Sequence, residues 1–186
     1  MRPPKVPQKE VLQGLMSVLR RQGFDGASLS DLASATGLQK ASLYHRYPRG
    51  KQEIAESVLH FVIEWIEEDI RKVLAQHQTP VSERVETVLK NISGLYSGGK
   101  ETCLLRALGF GHGQQMLQGG IAATMEAWIE AFYALGIELG RSASQARLDA
   151  QNTLVWIQGS LVVSQGLQDD GPFAHALDQI RQLYSA

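Results

Sequence analysis

Apolar residues recur along this chain at three- and four-residue spacing, and no stretch alternates with the period of two that a half-buried strand requires. Val11, Leu15, Val18 and Leu19 share one face and predict a helix over 8–22, ended by Gly23, with Phe24 packing inward across the turn. Ile54, Val58, Phe61, Trp65, Ile66, Ile70 and Leu74 predict a long helix over 51–76, roughly 39 Å at 1.5 Å per residue. The pattern resumes after Thr79-Pro80 with Val85, Val88, Leu89 and Ile92, giving a helix over 81–96. A short helix near Cys103 is broken by Gly109, Gly111 and Gly113. Ile121, Met125, Trp128, Phe132 and Leu135 then predict a second long helix over 115–139. Ser142 with Gln145 three residues on forms a capping box for a helix reaching 168. Phe173, Leu177, Ile180 and Tyr184 mark a last one over 172–184. The expected fold is all-α, with about nine helices.

One stretch departs from long amphipathic helices. SLSDLASATGLQKASLYHRYPRGK, residues 28–51, reads as two short helices around a tight turn. Ser28 can cap the first, with Asp31 three residues later. Gly37 suits a left-handed helix end, and Leu38 can plug the corner. The second, about 40–47, turns Leu43 and Tyr47 inward and leaves Lys40, Ser42, Tyr44, His45 and Arg46 outside, before Pro48 and Gly50 break the chain. A helix-turn-helix has this form, and its second helix enters the DNA major groove.

The pattern SLSDLASATGLQKASLYHRYPRGKQEI resembles the DNA-binding domain of TetR-family transcriptional regulators. The alanines before Gly-Leu, the Ser-Leu-Tyr-His run, the following aromatic residue and the Gly-Lys opening of the next helix carry the likeness, which covers about 9–59. The extra Gly before Lys51 resembles the branch that includes the LmrA/YxaF-type regulators. Gln39 stands where many members have a capping Ser or Thr, and Arg49 where many have Gly or Ser. The resemblance implies an N-terminal three-helix DNA-binding domain over 1–50, joined through the start of a linking helix at 51–60. A helical ligand-binding and dimerisation domain over 51–186 would follow.

Charge changes the picture in the same direction. The chain's formal net charge is −1, yet residues 1–50 hold eight Lys/Arg against three acids, and the remainder ten against sixteen. A basic end on an acidic body suits a protein that presents that end to phosphate, although a solvated surface can show such asymmetry by chance. Residues 1–7 hold three of the six prolines and read as a basic arm, either disordered or reaching DNA. No apolar run approaches the roughly 18 residues of a membrane span, no signal peptide is visible, and a single cysteine excludes an intramolecular disulfide. A cytoplasmic protein with no membrane partner is expected.

The sequence carries no complete motif for catalytic chemistry. GLYSGGK at 94–100 matches most of a phosphate loop, but Glu101 stands where Ser or Thr should meet magnesium, and no strand precedes it. GFGHGQ at 109–114 fails the dinucleotide pattern at Gln114. Cys103 and the five histidines show no ligand spacing. No enzyme activity, metal or cofactor is expected. An apolar cavity is the alternative to a plain core for Trp65, Tyr96, Phe110, Met116, Met125, Trp128 and Trp156, with His112, Gln114 and Gln158 as polar contacts. The helix over 142–168 carries two apolar stripes, one through Ala150, Leu154, Ile157 and Leu161, the other through Val155, Gly159, Val162 and Gly166. It is either a central core helix or, with Phe173, Leu177 and Ile180 of the last helix, a two-fold dimer interface, as the resemblance implies.

The expectation is a homodimeric regulator, a repressor released from a palindromic double-stranded operator by a small apolar or aromatic effector. Ser28, Gln39, Lys40, Ala41, Ser42, Tyr44, His45, Arg46 and Lys51 would form its DNA surface. The competing reading is an all-helical small-molecule-binding protein or enzyme with an incidental basic end.

Overall fold

The structure, a computed structural model, describes residues 6–185. Of the expected arm, residues 1–5 lie outside the described residues. The fold is all-α, and no strand occurs among the described residues. The chain divides into two compact units, Met1–Val62 with Leu104–Ala122, and Ile63–Cys103 with Ala123–Ala186. The expected division near 50–60 took no account of the second segment in the first unit.

The first unit is built on α1 (Gln8–Gly26), α2 (Leu29–Thr36), α3 (Lys40–Arg46), most of α4 (Lys51–Ile66), α7 (Leu104–Leu108) and the opening of α8 (Gly111–Glu138). The stripe expected on α1 is its core face: Val11, Leu15, Val18 and Leu19 are buried, together with Leu32, Leu43, Ile54 and Val58. Gly23 breaks α1 with φ 68, and Phe24 is buried just beyond it. α8 starts at Gly111, earlier than the apolar period indicated. Its first residues carry no apolar stripe to read. Close packing and a cap hold them instead: a Cβ on Gly113 would lie 2.7 Å from Phe24 Cβ, and the Asp25 carboxylate accepts the N–H of His112.

The second unit holds the remaining helices. The rod that begins as α4 continues through a π-helical turn, Glu67–Arg71, into α5 (Lys72–Leu74). The apolar spacing from Ile66 to Ile70 passes through this turn unchanged, so periodicity alone shows only a continuous helix. A π turn disturbs the backbone ladder, and Asn91 Nδ2 from α6 (Val81–Leu95) donates to the Asp69 carbonyl at 2.9 Å. A single 3₁₀ turn, Ser97–Gly99, leads towards Cys103, which is buried. α9 (Ala143–Leu167) opens with Ser142 accepting the Gln145 N–H at 3.2 Å. The Gln145 side chain does not complete the box but donates to Asp149 at 2.8 Å. α9 buries Ala146, Ala150, Leu154, Ile157 and Leu161. α10 (Gly171–Tyr184) packs on α9 and α6. Burial pushes the Tyr184 phenol up to about 12.

Arg84, 2 % exposed, anchors three elements of this unit. Nη2 donates to Glu138 Oε1 at 2.6 Å and Nη1 to the Leu74 carbonyl. A buried guanidinium requires such partners, because desolvating an unpaired charge is costly. The same guanidinium holds the Glu138 carboxyl below its ordinary range, with His77 assisting.

Candidate nucleic-acid interface

α2 and α3 form the corner that the sequence indicates. Ser28 accepts the Asp31 N–H at 3.1 Å and donates to Asp31 Oδ2 at 2.6 Å, so a short acid reciprocates the cap. Gly37 closes α2 at φ 65, a left-handed conformation that glycine adopts without a Cβ penalty. The Leu38 N–H then reaches back to the Ala33 carbonyl at 3.2 Å. α3 follows Gln39, which supplies no side-chain cap. Leu43 and Tyr47 are buried and fix its inner face.

The outer face is polar and open. Gln39, Lys40, Ala41, Ser42, Tyr44 and His45 are exposed, Tyr44 to 50 %. Among the described residues, the side chains of Lys40, Ser42, Tyr44 and His45 have no hydrogen bond or ion pair within the chain. Donors left open on a rigid short helix suit base edges and phosphates. Other basic side chains nearby are engaged. Arg49 pairs with Glu56 at 2.7 Å, and its N–H is accepted by Glu53. Lys51 lies 4.8 Å over the Phe24 ring and donates to the Asp25 carbonyl at 3.3 Å. Arg46 donates to Gln8 and to the Val6 carbonyl. By sequence Arg46 and Lys51 group with the free donors; their partners are distant along the chain and leave no local signal.

Residues 11–58 match the family model described as bacterial regulatory proteins, tetR family. The chain carries a DNA-binding domain of the TetR family over these residues. It is a DNA-binding transcriptional regulator. The HTH-type transcriptional regulator LmrA of Bacillus subtilis is 22 % identical over 173 residues, covering 90 % of this chain and 91 % of LmrA. A TetR transcriptional regulator from Legionella pneumophila superposes with TM-score 0.83 at 16 % identity, covering 98 % of this chain and 99 % of that one. The TetR-family regulator CifR, solved with a 26-bp double-strand operator, gives TM-score 0.74 at 18 % identity and covers 98 % of both chains. The last two likenesses show the fold.

In this chain the expected effector-site residues are spread over both units. Phe110, His112 and Met116 belong to the first, where Phe110 is 67 % exposed and Met116 is also on the surface. Trp65, Tyr96, Met125, Trp128, Trp156 and Gln158 belong to the second. There Trp65 and Trp128 meet with ring centroids 5.9 Å apart, while Tyr96 packs edge-on against Phe173 at 6.0 Å. Met125 is exposed. Two buried donors in this unit, Trp128 Nε1 and Gln158 Nε2, have no acceptor.

The expected dimer residues divide in the same manner. Val155, Gly159, Val162 and Gly166 form an exposed face of α9. Val155, Gly159, Trp156, Pro172 and His175 border a groove of about 470 Å³. Phe173, Leu177 and Ile180 differ from them: in the single chain all three are buried in the core of their own unit. Periodicity identifies an apolar stripe on α10 but not which partner it meets. Among the described residues no helix is long and apolar enough to cross a membrane.

Proposed function

We propose that this regulator is a homodimeric repressor, released from a palindromic operator by a small effector in the cytoplasm. The observation that carries the DNA half is the outer face of α3, where Lys40, Ser42, Tyr44 and His45 stand exposed without partners. Lys40 would donate to phosphate or guanine, Ser42 and Tyr44 to phosphate, and His45 to a base edge or phosphate. Ser28, Gln39 and Ala41 border that face. Lys51 adds its charge at the start of α4, where the helix dipole also favours an anion. The operator complex of the similar regulator CifR supports this reading. Residues 1–50, with the start of the linking helix at 51–60, would bind DNA, and 51–186 would bind effector and dimerise.

The exposed apolar face of α9 supports dimerisation. Val155 is 63 % and Val162 44 % exposed, and a second copy would cover both. The Trp65–Trp128 pair supports an apolar or aromatic effector. The unpartnered N–H groups of Trp128 and Gln158 suit an effector with a hydrogen-bond acceptor, since a buried donor without one costs about 1–3 kcal/mol.

Gel retardation with fragments of the source genome tests the proposal. One or a few fragments should be retained at salt where the rest are released. Equal loss of every fragment at moderate salt would instead favour a helical binding protein with an incidental basic end.

A further inference from the structure

Arg46, Arg49 and Lys51 follow the reading face of α3 in one short stretch, and the chain holds them differently. Arg46 rests on the Gln8 amide and the Val6 carbonyl, and Lys51 on the Phe24 ring and the Asp25 carbonyl. These partners are neutral, so neither cation is compensated. Arg49 alone of the three is held by carboxylates. Its Nη2 donates to Glu56 Oε2 at 2.7 Å, and its Nε lies 4.0 Å from Glu53 Oε2. The same Glu53 oxygen accepts the Arg49 N–H at 2.8 Å. Glu56 is fixed from its other side as well, where Oε1 accepts from Gln52 Nε2 at 2.9 Å.

Stability does not account for this clamp. The Arg49 and Glu56 side chains are 62 % and 36 % exposed, and ion pairs so open contribute little to folding. Arg49 stands between Pro48 and Gly50, whose φ of 67 turns the chain into α4. Lys51, two residues on, opens α4 at its positive end, at most about 7 Å of backbone away. A phosphate at Lys51 would lie within reach of a freed guanidinium, whose planar fork matches phosphate oxygens. Glu56 stands about 7.5 Å further along the helix axis than Lys51, at 1.5 Å per residue. The clamp therefore turns the guanidinium away from that end.

We propose that Glu53 and Glu56 are positioning residues that withhold Arg49 from DNA and so limit the sequence-independent part of the affinity. Phosphate contacts add to the binding of every duplex and carry no sequence information. With one contact withheld, a larger share of binding falls to base reading by α3. The proposal rests on the DNA-binding reading above.

The test is the salt dependence of DNA binding by the full chain, measured by fluorescence anisotropy on two labelled duplexes of unrelated sequence. Glu53→Gln with Glu56→Gln removes both charges but keeps an acceptor for the Arg49 N–H, so the turn is preserved. This double variant should bind both duplexes more tightly. Its slope of log K against log salt should be steeper by about 0.9 per bound subunit, the value of one added phosphate contact. Arg49→Ala alone should leave the slope unchanged. Added to the double variant, it should return the slope to that of the natural protein. A slope shallower by about 0.9 for Arg49→Ala alone would show that Arg49 already contacts DNA and overturn the proposal. A steeper slope that survives in the triple variant would assign the gain to the carboxylates' own repulsion of phosphate, and would also overturn it. No steepening in the double variant, with binding retained, would overturn it while leaving the DNA-binding reading intact. Failure of the natural protein to bind any duplex would overturn both.

Discussion

The carboxylate of Asp25 grips His112 twice: Oδ2 accepts its backbone N–H at 3.1 Å, and Oδ1 lies 3.1 Å from Nδ1 of its ring. The first contact caps α8 in its opening turn, where the backbone N–H groups lack intrahelical acceptors. Asp25 stands just before the helix-turn-helix, so the residue that caps α8 also ends the helix bracing the recognition corner.

Asp25→Ala is expected to cost about 1 kcal/mol, the usual value of a lost helix cap. Asp25→Asn keeps an acceptor for the His112 N–H and should retain most of that. Urea unfolding of the two variants checks this. Equal stability of all three proteins would show that the contact contributes nothing.

The Arg84–Glu138 pair makes a prediction with a sign in pH. The folded-state pKa of Glu138 is lowered below 4.5, first by its hydrogen bond from Arg84. Its contribution to stability is therefore complete above the unfolded pKa and is lost as pH falls through the folded one. Glu138→Ala should cost about 3 kcal/mol near neutral pH, since it strands a buried Arg84. The difference from the natural protein should shrink as pH drops below 4.5. Guanidinium titrations at several pH values measure it; a difference independent of pH would remove the ion pair as its cause.

Much of this could be read from residue order. The cap at Ser28, the left-handed Gly37 and the inward Leu43 and Tyr47 are local, and local chemistry determined them. The π turn at Glu67–Arg71 was hidden because Ile66 and Ile70 keep helical spacing through it. The opening of α8 was hidden because glycines and a distant carboxylate define it, and neither produces a period. On α10 the stripe was legible, but whether Phe173 faced its own core or another chain depended on tertiary packing. Arg46 and Lys51 were visible as cations; their partners Val6, Gln8, Phe24 and Asp25 lie too far along the chain to be inferred.

Val162→Arg should leave the subunit folded, since the position is 44 % exposed in the single chain. If α9 pairs across a two-fold axis, an unpaired charge there would cost several kcal/mol and shift the protein towards monomer. Light scattering, with circular dichroism to verify helix content, provides the measurement. A stable dimer of this variant would exclude Val162 from the interface.

An effector can release DNA only through unequal affinity for the DNA-competent and released states. A coupling of roughly 1–3 kcal/mol would lower DNA affinity about 5- to 150-fold, and operator DNA must lower effector affinity by the same factor. Titrating an effector found by quenching of tryptophan fluorescence, with and without operator, gives both numbers. Equal effector affinities would return Trp65 and Trp128 to a purely structural role.

The central claim is that the open face of α3 reads DNA sequence. Duplexes enriched by the protein from a random pool should contain two related half-sites about one helical turn apart, or a multiple of it. The natural protein should prefer such a duplex to a scrambled one by at least about 10³-fold at physiological salt. A variant with Lys40→Ala, Tyr44→Ala and His45→Ala should lose most of that preference while keeping its helix content and its oligomeric state. A preference that survives all three substitutions would contradict the claim and move the reading surface elsewhere.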